Sequence, residues 1–488
     1  MKNIKNKGVI LLNVIVFTTV AVALVTFFIS WASYSLKTAK STLYKEQALQ
    51  IAEAGVDYYR WHLAHSPNDF KDGTGAAGPY THVFTDKDGV SIGSFVLTIT
   101  PPITGSTLVT IKSEGHVDNY PKIKRTIQTK LAIPSFAKFA IVANDFMRFG
   151  EGTEVFGPIH SNNGIRFDGV AHNLITSAVS NYDDPDHTGN NEFGIHTHVN
   201  TSGGGVNDTF RPQEAPPTNP IPIRNDVFIA GRQFPVPQSD FTGITNDLSL
   251  IKTNAQSGGK YLAPSGAIGY HIVLKTNDTY DLYKVTSLTS ASNNCSNSSN
   301  SGDATWGTWS IKSPNGESFV ANYSNPSNGL IFVEDNVWVD GSINTARVTI
   351  AAGKFPDNPS SRKSIFINKD LTYTNYDGQD VVGLIAQDDI TVGMVSDDNL
   401  RIDAALMANN GRVGRHYYSS QCSPYHSRSL LTLYGMIGSN KRYGFAYTDN
   451  TGYDTRTIIY DANLLYGPPP SFPLTSDKYT TISWDEIE

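Results

Sequence analysis

The pattern of apolar and polar positions divides the chain into a long helical start and a much longer stretch of short strands. From Val9 to Trp31 no residue is charged, and at ~1.5 Å per helical residue this run spans a hydrocarbon layer of ~30 Å. Only Lys2, Lys5 and Lys7 are charged before it, so the positive-inside rule keeps residues 1–8 in the cytoplasm and sends everything after Trp31 across the membrane. The helix is expected to continue, because no Pro or Gly interrupts the chain until Gly55. Leu36, Leu43, Ala48, Ile51, Ala52, Val56 and Tyr59 recur at helical spacing and form one apolar stripe, predicting a rod that reaches about His65. Gly78-Pro79 closes the helical region. The runs Ser94 to Thr100, Thr107 to Val117 and Lys122 to Ile133 then alternate apolar and polar residues as half-buried antiparallel strands do, with Pro101-Pro102 and Tyr120-Pro121 at the connections. Residues 32–134 therefore read as a long helix against an antiparallel sheet, an α+β module.

Beyond Pro134 a short phrase recurs, in which polar amides or acids precede a brief strand. It occurs at Ala143, Ser161, Val333, Ile367 and Ala386, and more weakly at Ala408 and Gly438. The best-spaced copies lie roughly 18–22 residues apart, the length of one coil in a stacked solenoid. In such a coil the Asn/Asp pair takes the tight turn, and stacking lines the amides into ladders. Residues 135–173 and 329–465 are thus expected to form a mainly-β, parallel β-helix-like domain, with an irregular β-sandwich as the rival architecture. Residues 174–328 read as a loop-rich α+β insertion. Within it, Phe241, Ile244, Leu248 and Ile251 form a helical stripe stopped by Gly258-Gly259, and a hairpin turns at Asn277-Asp278. Residues 466–488 open on a proline run that cannot enter a central sheet and are expected to cap or strap the last coil.

Composition fits this division. A chain of 488 residues is long enough for two or three folded units. Its 41 Gly and 24 Tyr with only 17% charged residues suit an extracellular β protein. A net charge of −7 supplies no field for phosphate backbones, which sets nucleic acid aside.

The N-terminus resembles a known family. Lys7-Gly8 followed by Val9 looks like a prepilin peptidase site, and the segment Gln47 to Tyr59, which contains Ala52-Glu53-Ala54-Gly55, is similar to that of PilX-type minor type IV pilins. The likeness covers roughly the first quarter of the chain and extends to the rhythm of the sheet, including Ser113-Glu114-Gly115. It implies that residues 1–8 are a leader cleaved between Gly8 and Val9, that 9–31 is a transmembrane helix, and that this helix later packs among other pilin subunits. Asn13 stands at the fifth mature position, where major pilins carry Glu; that departure fits a minor or initiating subunit, or a K-type minor pseudopilin of a secretion system.

Candidate chemistry is sparse. Cys295 and Cys422 lie in Ser/Asn-rich loops; an exported chain can join them in one disulfide, and two unpaired surface thiols fit the sequence equally. Asp388-Asp389 and Asp397-Asp398 have the residue types for acid–base work or calcium, but they fall in the repeating turns, where solvated acids are ordinary. His196 and His198 would point the same way along a strand, two ligands toward zinc with no third in sight, so a surface strand is the expectation. His160 reads as a turn residue, and Ser113 and Ser161 lack the G-x-S-x-G setting of an esterase. The aromatics Trp306, Trp309, Tyr417, Tyr418, Tyr425, Tyr443, Phe445, Tyr447 and Tyr453 cluster in loop-rich sequence, which suggests either a glycan- or protein-binding surface or the covering of coil edges. The resulting expectation is a non-enzymatic, cofactor-free, membrane-anchored filament protein with its bulk outside the cytoplasm. A membrane-anchored carbohydrate-active β-helix protein is the alternative from another class.

Overall fold

The computed structural model describes residues 7–103, 106–186, 189–200, 214–216, 220–291, 295 and 307–487. They form two compact units: residues 1–101, 109–132 and 479–488 make the first, and residues 102–108 and 133–478 the second.

The first unit is built on one 59-residue helix, α1 (Lys7–His65). Its N-terminal half is apolar and exposed, from Val9 at 56% to Trp31 at 62%, and is long and apolar enough to cross a membrane. Three hydroxyls in this stretch are satisfied within the helix: Thr18, Thr19 and Thr26 donate to the carbonyls of Val14, Ile15 and Val22. The C-terminal half carries the expected stripe from Ala48 onward, whereas Leu36 and Leu43 stay exposed. Ala48, Ile51, Ala52, Val56, Tyr59 and Leu63 are buried against an antiparallel sheet of β1 (Tyr80–Thr85), β2 (Ser91–Thr100), β3 (Val109–Val117) and β4 (Tyr120–Ala132). Two glycines set the distance between them. A Cβ on Gly115 would lie 2.2 Å from the Ala48 carbonyl oxygen and 2.5 Å from the Ala52 nitrogen, and one on Gly55 would lie 2.2 Å from Ser113 Oγ. The Ala52 to Gly55 segment and the Ser113 to Gly115 segment thus fit face to face, which gives both motifs a packing reason.

The fifth strand of this sheet comes from the far end of the chain. Thr480–Ile487 pairs antiparallel with β4, Thr129 Oγ1 donates to the Ser483 carbonyl at 2.8 Å, and Arg125 pairs with Glu486. Residues 466–488 are therefore not one cap. The proline run does strap the second unit, through Arg347 Nη2 to the Gly467 and Pro468 carbonyls (2.7 and 2.6 Å) and Thr349 Oγ1 to the Pro470 carbonyl (2.6 Å). It lies over Arg347–Ala352 and Val381–Ala386 rather than over the last layer. The final strand lies along a sheet edge, which its polar composition permits.

The second unit is dominated by parallel pairing. Leu330–Val333, Arg347–Ala352, Val381–Ala386, Asn399–Ala408 and Ser427–Ser439 pair in that order. Ser427–Ser439 then pairs with the later strand Gly452–Tyr460 up to Gly435 and, from Ile437 to Ser439, with Ile141–Ala143, which continues to Ile159–Ser161 and Ile175–Ser177. Spatial order is thus permuted relative to chain order: the segment that opens the unit stacks beyond the segment that ends it. In-register pairing threads one aliphatic column through all of these layers: Ile331, Ile350, Leu384, Leu406, Ile437, Ile141, Ile159 and Ile175, each at most 1% exposed. The strands are apolar on both faces because α2 (Ile244–Gly258) covers the other side, burying Phe241, Ile244, Leu248 and Ile251 against Leu330, Phe332 and Ile385. The expected amide ladder runs across the permuted joint, where Asn144 Nδ2 donates to Asn440 Oδ1 (3.1 Å) and Asn162 Nδ2 to Asn144 Oδ1 (2.8 Å).

Residues 174–328 do not form a separate subdomain beside this stack. The hairpin of Gly269–Leu274 and Thr279–Val285 turns at Asp278 with φ 60°, as expected, but its first strand also pairs parallel with Val337–Ile343. Lys260–Leu262 likewise extends the ladder below Leu330–Val333. His271 ties the hairpin in, with Nδ1 2.7 Å from Glu317 Oε2 and Nε2 2.9 Å from Asp340 Oδ2. Burial by itself would lower its pKa, yet the hydrogen bonds to Asp340 and Glu317 and their charges win and raise it to about 9. Its unfolded value is ~6.5, so its contribution is complete below that pH and is lost as pH rises through about 9. The expected result is a loss of about 3 kcal/mol at most between pH 6.5 and 9.5, checked by urea melts of wild type and His271→Ala, the variant losing the pH dependence.

Candidate functional site

The most concentrated group of titratable side chains lies where the stack ends on its N-terminal side. Met147–Phe149, Ile165–Phe167 and Ile195–His196 form a short parallel ladder, and Asn181–Tyr182 pairs antiparallel with Glu192–Phe193 beside it. These elements converge Asp184, Glu192, His196 and His198, each buried, with one ligand atom from each within 4.8 Å of all the others. His198 Nε2 lies 3.1 Å from Glu192 Oε2, His196 Nε2 lies still closer to the same oxygen, and His196 Nε2 is 3.5 Å from Asp184 Oδ2. The other Asp184 oxygen accepts the Asp186 amide (2.9 Å), which aims Oδ2 inward. Behind the cluster, Arg166 pairs with Asp168 at 2.6 Å, both 1% exposed as side chains, and Asp168 Oδ1 also accepts the His198 amide (2.8 Å). The Tyr182 ring packs 5.5 Å from that of His196; a Cβ on Gly164 would fall 2.1 Å from Tyr182, so only glycine admits that ring.

The electrostatics follow from this crowding. Burial would raise Glu192 and Asp184, but His196 beside both and His198 beside Glu192 outweigh it and hold both below the usual carboxylate range. Burial would lower His196, and the two carboxylates raise it instead.

The expectation of a surface strand at His196 and His198 is corrected here. His196 ends the strand and His198 lies just beyond it, yet both are fully buried and turn Nε2 to the same Glu192 oxygen. The missing partners were outside any local motif: Glu192 is the strand residue that a hairpin brings back, and Asp184 comes from the loop between.

The remaining candidates take structural places. Asp389 Oδ1 accepts the Arg412 amide (2.7 Å), and Asp398 accepts from the Ser429 amide and hydroxyl (3.1 and 2.6 Å), so these acids hold turns. Burial and the charge of Asp389 push Asp388 up to about 6. His160 is buried, stacked on Phe139 and bonded to Thr176 and Asn162. Ser161 Oγ donates to the Asp145 carbonyl, and Ser113 lies beneath Gly55. Gly8 and Val9 fall in the first turn of α1.

Of the two readings of the aromatics, the covering of coil edges is the one that fits the structure. Trp306 lies outside the described residues, and none of the other eight is exposed. Tyr418 and Tyr453 face the buried Arg415 guanidinium at 5.3 and 5.7 Å, Phe445 joins the core, and Trp309 stacks on Phe366 at 4.6 Å. These rings cover layer edges. Arg415 in turn donates to the carbonyls of Met394, Tyr425 and His426 (3.0, 2.5 and 3.1 Å).

Cys295 and Cys422 are joined, with Cα atoms 4.4 Å apart and a sequence separation of 127. The bridged Cys295 and Cys422 pack against Met394, Tyr418 and Tyr425. Removing it in a Cys295→Ser/Cys422→Ser variant is expected to cost about 2–4 kcal/mol, because the reduced chain regains a long loop's freedom. Thermal melts with and without reductant check this; coincident curves for wild type would contradict it.

No protein-family model matches the chain, and no curated protein matches it. Among solved structures, the competence-associated pilin ComZ from Thermus thermophilus is similar at 13% identity over 91% of this chain and 98% of that chain, with a TM-score of 0.28. A superposition that loose carries no argument by itself.

Proposed function

We propose that this chain is a non-enzymatic, minor pilin-like subunit of a type IV pilus or related filament, which displays a large extracytoplasmic β-helix-like domain. The observation that carries the reading is α1 itself. One uninterrupted helix is apolar and exposed over its first half and docked on an antiparallel sheet over its second, so a single rod serves lipid and a folded head in turn. The internally satisfied threonines support residence in lipid, where no water competes for their hydroxyls. The same exposed surface suits later packing against the helices of other pilin subunits. The Cys295–Cys422 bridge supports an oxidising compartment outside the cytoplasm. The parallel column of eight aliphatic residues supports the solenoid reading over a sandwich.

On this reading a prepilin peptidase removes residues 1–8 at the inner membrane, and Asn13 in place of the usual glutamate fits a minor subunit. Mass spectrometry of the mature N-terminus tests it. In a host with an active prepilin peptidase the chain is expected to begin at Val9, and Gly8→Val to leave it uncut; an intact Met1 in the wild type would sink the proposal. A deletion strain scored for piliation and for secretion separates the pilus subunit from the K-type pseudopilin.

A further inference from the structure

The geometry points to a structural zinc-class metal site formed by Asp184, Glu192, His196 and His198. Two carboxylates and two imidazoles face one another in a place closed to solvent, and among the described residues no other group of this kind occurs. Four donors around a zinc ion at ~2.0–2.2 Å stand about 3.4 Å apart. The separations of 3.5 Å (His196 Nε2 to Asp184 Oδ2) and 3.1 Å (His198 Nε2 to Glu192 Oε2) lie near that edge length, and His196 Nε2 stands closer still to Glu192 Oε2.

Two further observations favour a cation over a self-sufficient polar network. Neither ring nitrogen of His196 makes a well-formed hydrogen bond, although the ring is fully buried and its Nε2 faces both carboxylates; Asp184 Oδ2 is in the same position. Buried polar atoms are ordinarily satisfied, so a convergent set left unsatisfied marks a ligand. Finally, the carboxylate orientation is pre-set, since the Asp186 amide occupies Asp184 Oδ1 and leaves Oδ2 for coordination.

The donor set selects the ion. Two imidazoles with two carboxylates and no thiolate suit zinc and its neighbours among the divalent transition metals; calcium prefers six to eight oxygens. All four positions are filled by protein, as in a structural rather than a catalytic site. Its effect is mechanical. The ion clasps the Asp184 loop and the Glu192 strand to the His196 strand, closing the layer that ends the Ile165–Phe167 ladder. Asp186, two residues from the first ligand, is itself held by Arg442 at 3.0 and 2.6 Å, so the clasp reaches the neighbouring layers.

The test uses the full chain purified in detergent, stripped with EDTA, incubated with zinc chloride and desalted. Elemental analysis is expected to find about one zinc per wild-type chain, with at least a 10-fold weaker affinity in Glu192→Gln and in His196→Gln. Cobalt chloride in place of zinc is expected to give the intense visible bands of a tetrahedral site in wild type alone. Three outcomes overturn the assignment: no zinc retained and no cobalt band in wild type, equal retention in both variants, or retention of calcium in preference to zinc. Because wild type alone decides the first of these, a variant that fails to fold does not shelter the proposal.

Discussion

Replacing Gly115 with alanine is expected to lift α1 off its sheet and destabilise the first unit by about 3 kcal/mol or more, the upper range for forced overpacking. The added methyl would sit 2.2 Å from the Ala48 carbonyl oxygen and 2.5 Å from the Ala52 nitrogen. Both obstacles are helix backbone, which no rotamer change can move. Relief requires the helix to retreat, and retreat opens the contact that buries Ile51, Tyr59 and Leu63 against Leu97 and Ile111. Urea denaturation followed by limited proteolysis of the helix–sheet unit measures the effect. Gly150→Ala is the control, since a Cβ there meets nothing within 4 Å. Equal midpoints for Gly115→Ala and wild type would mean that the helix does not rest on this face. The result matters for function because the docked half of α1 is what couples a membrane-length rod to the rest of the first unit.

Arg415→Met is expected to cost the second unit about 3 kcal/mol. Methionine keeps much of the volume but no donor, so the carbonyls of Met394, Tyr425 and His426 lose their partner in a dry place, at ~1–3 kcal/mol for each group left unsatisfied. The ring faces of Tyr418 and Tyr453 lose their cation as well. Burial already lowers the Arg415 pKa to about 10, which shows how little solvent reaches it. Differential scanning calorimetry of variant and wild type gives the comparison; a shift equivalent to less than ~0.5 kcal/mol would fall within ordinary surface-substitution effects and refute the role. Since the three carbonyls flank the Cys422 loop, the variant is also expected to make the disulfide more accessible to reductant.

Much of the first unit was readable in advance because its information is local. A charge-free run from Val9 to Trp31, a helical stripe through Tyr59 and three alternating strands each announce themselves within a few turns or residues. The resemblance of Ala52-Glu53-Ala54-Gly55 and Ser113-Glu114-Gly115 to a known family was likewise visible, though only the docked helix gives those small residues their reason. The α2 stripe and the Asn277-Asp278 turn were legible on the same grounds. Loop-rich aromatics, in contrast, left two readings open, because the burial of Tyr418 and Tyr453 depends on a cation, Arg415, whose partners come from several segments.

What the sequence by itself determined is therefore the period of each segment: a rod, an alternating sheet, and amide-punctuated strands suited to stacking. Tertiary structure alone decided which segments meet. The stacking of Ile437 on Ile141, the loan of Thr480–Ile487 to the helix-bearing sheet, and the meeting of Asp184 with Glu192, His196 and His198 are all pairings between positions with no mutual sequence signal. The physical reason is that periodicity specifies which face of a strand is buried, whereas partner choice depends on which edges and cavities the rest of the chain leaves to be filled.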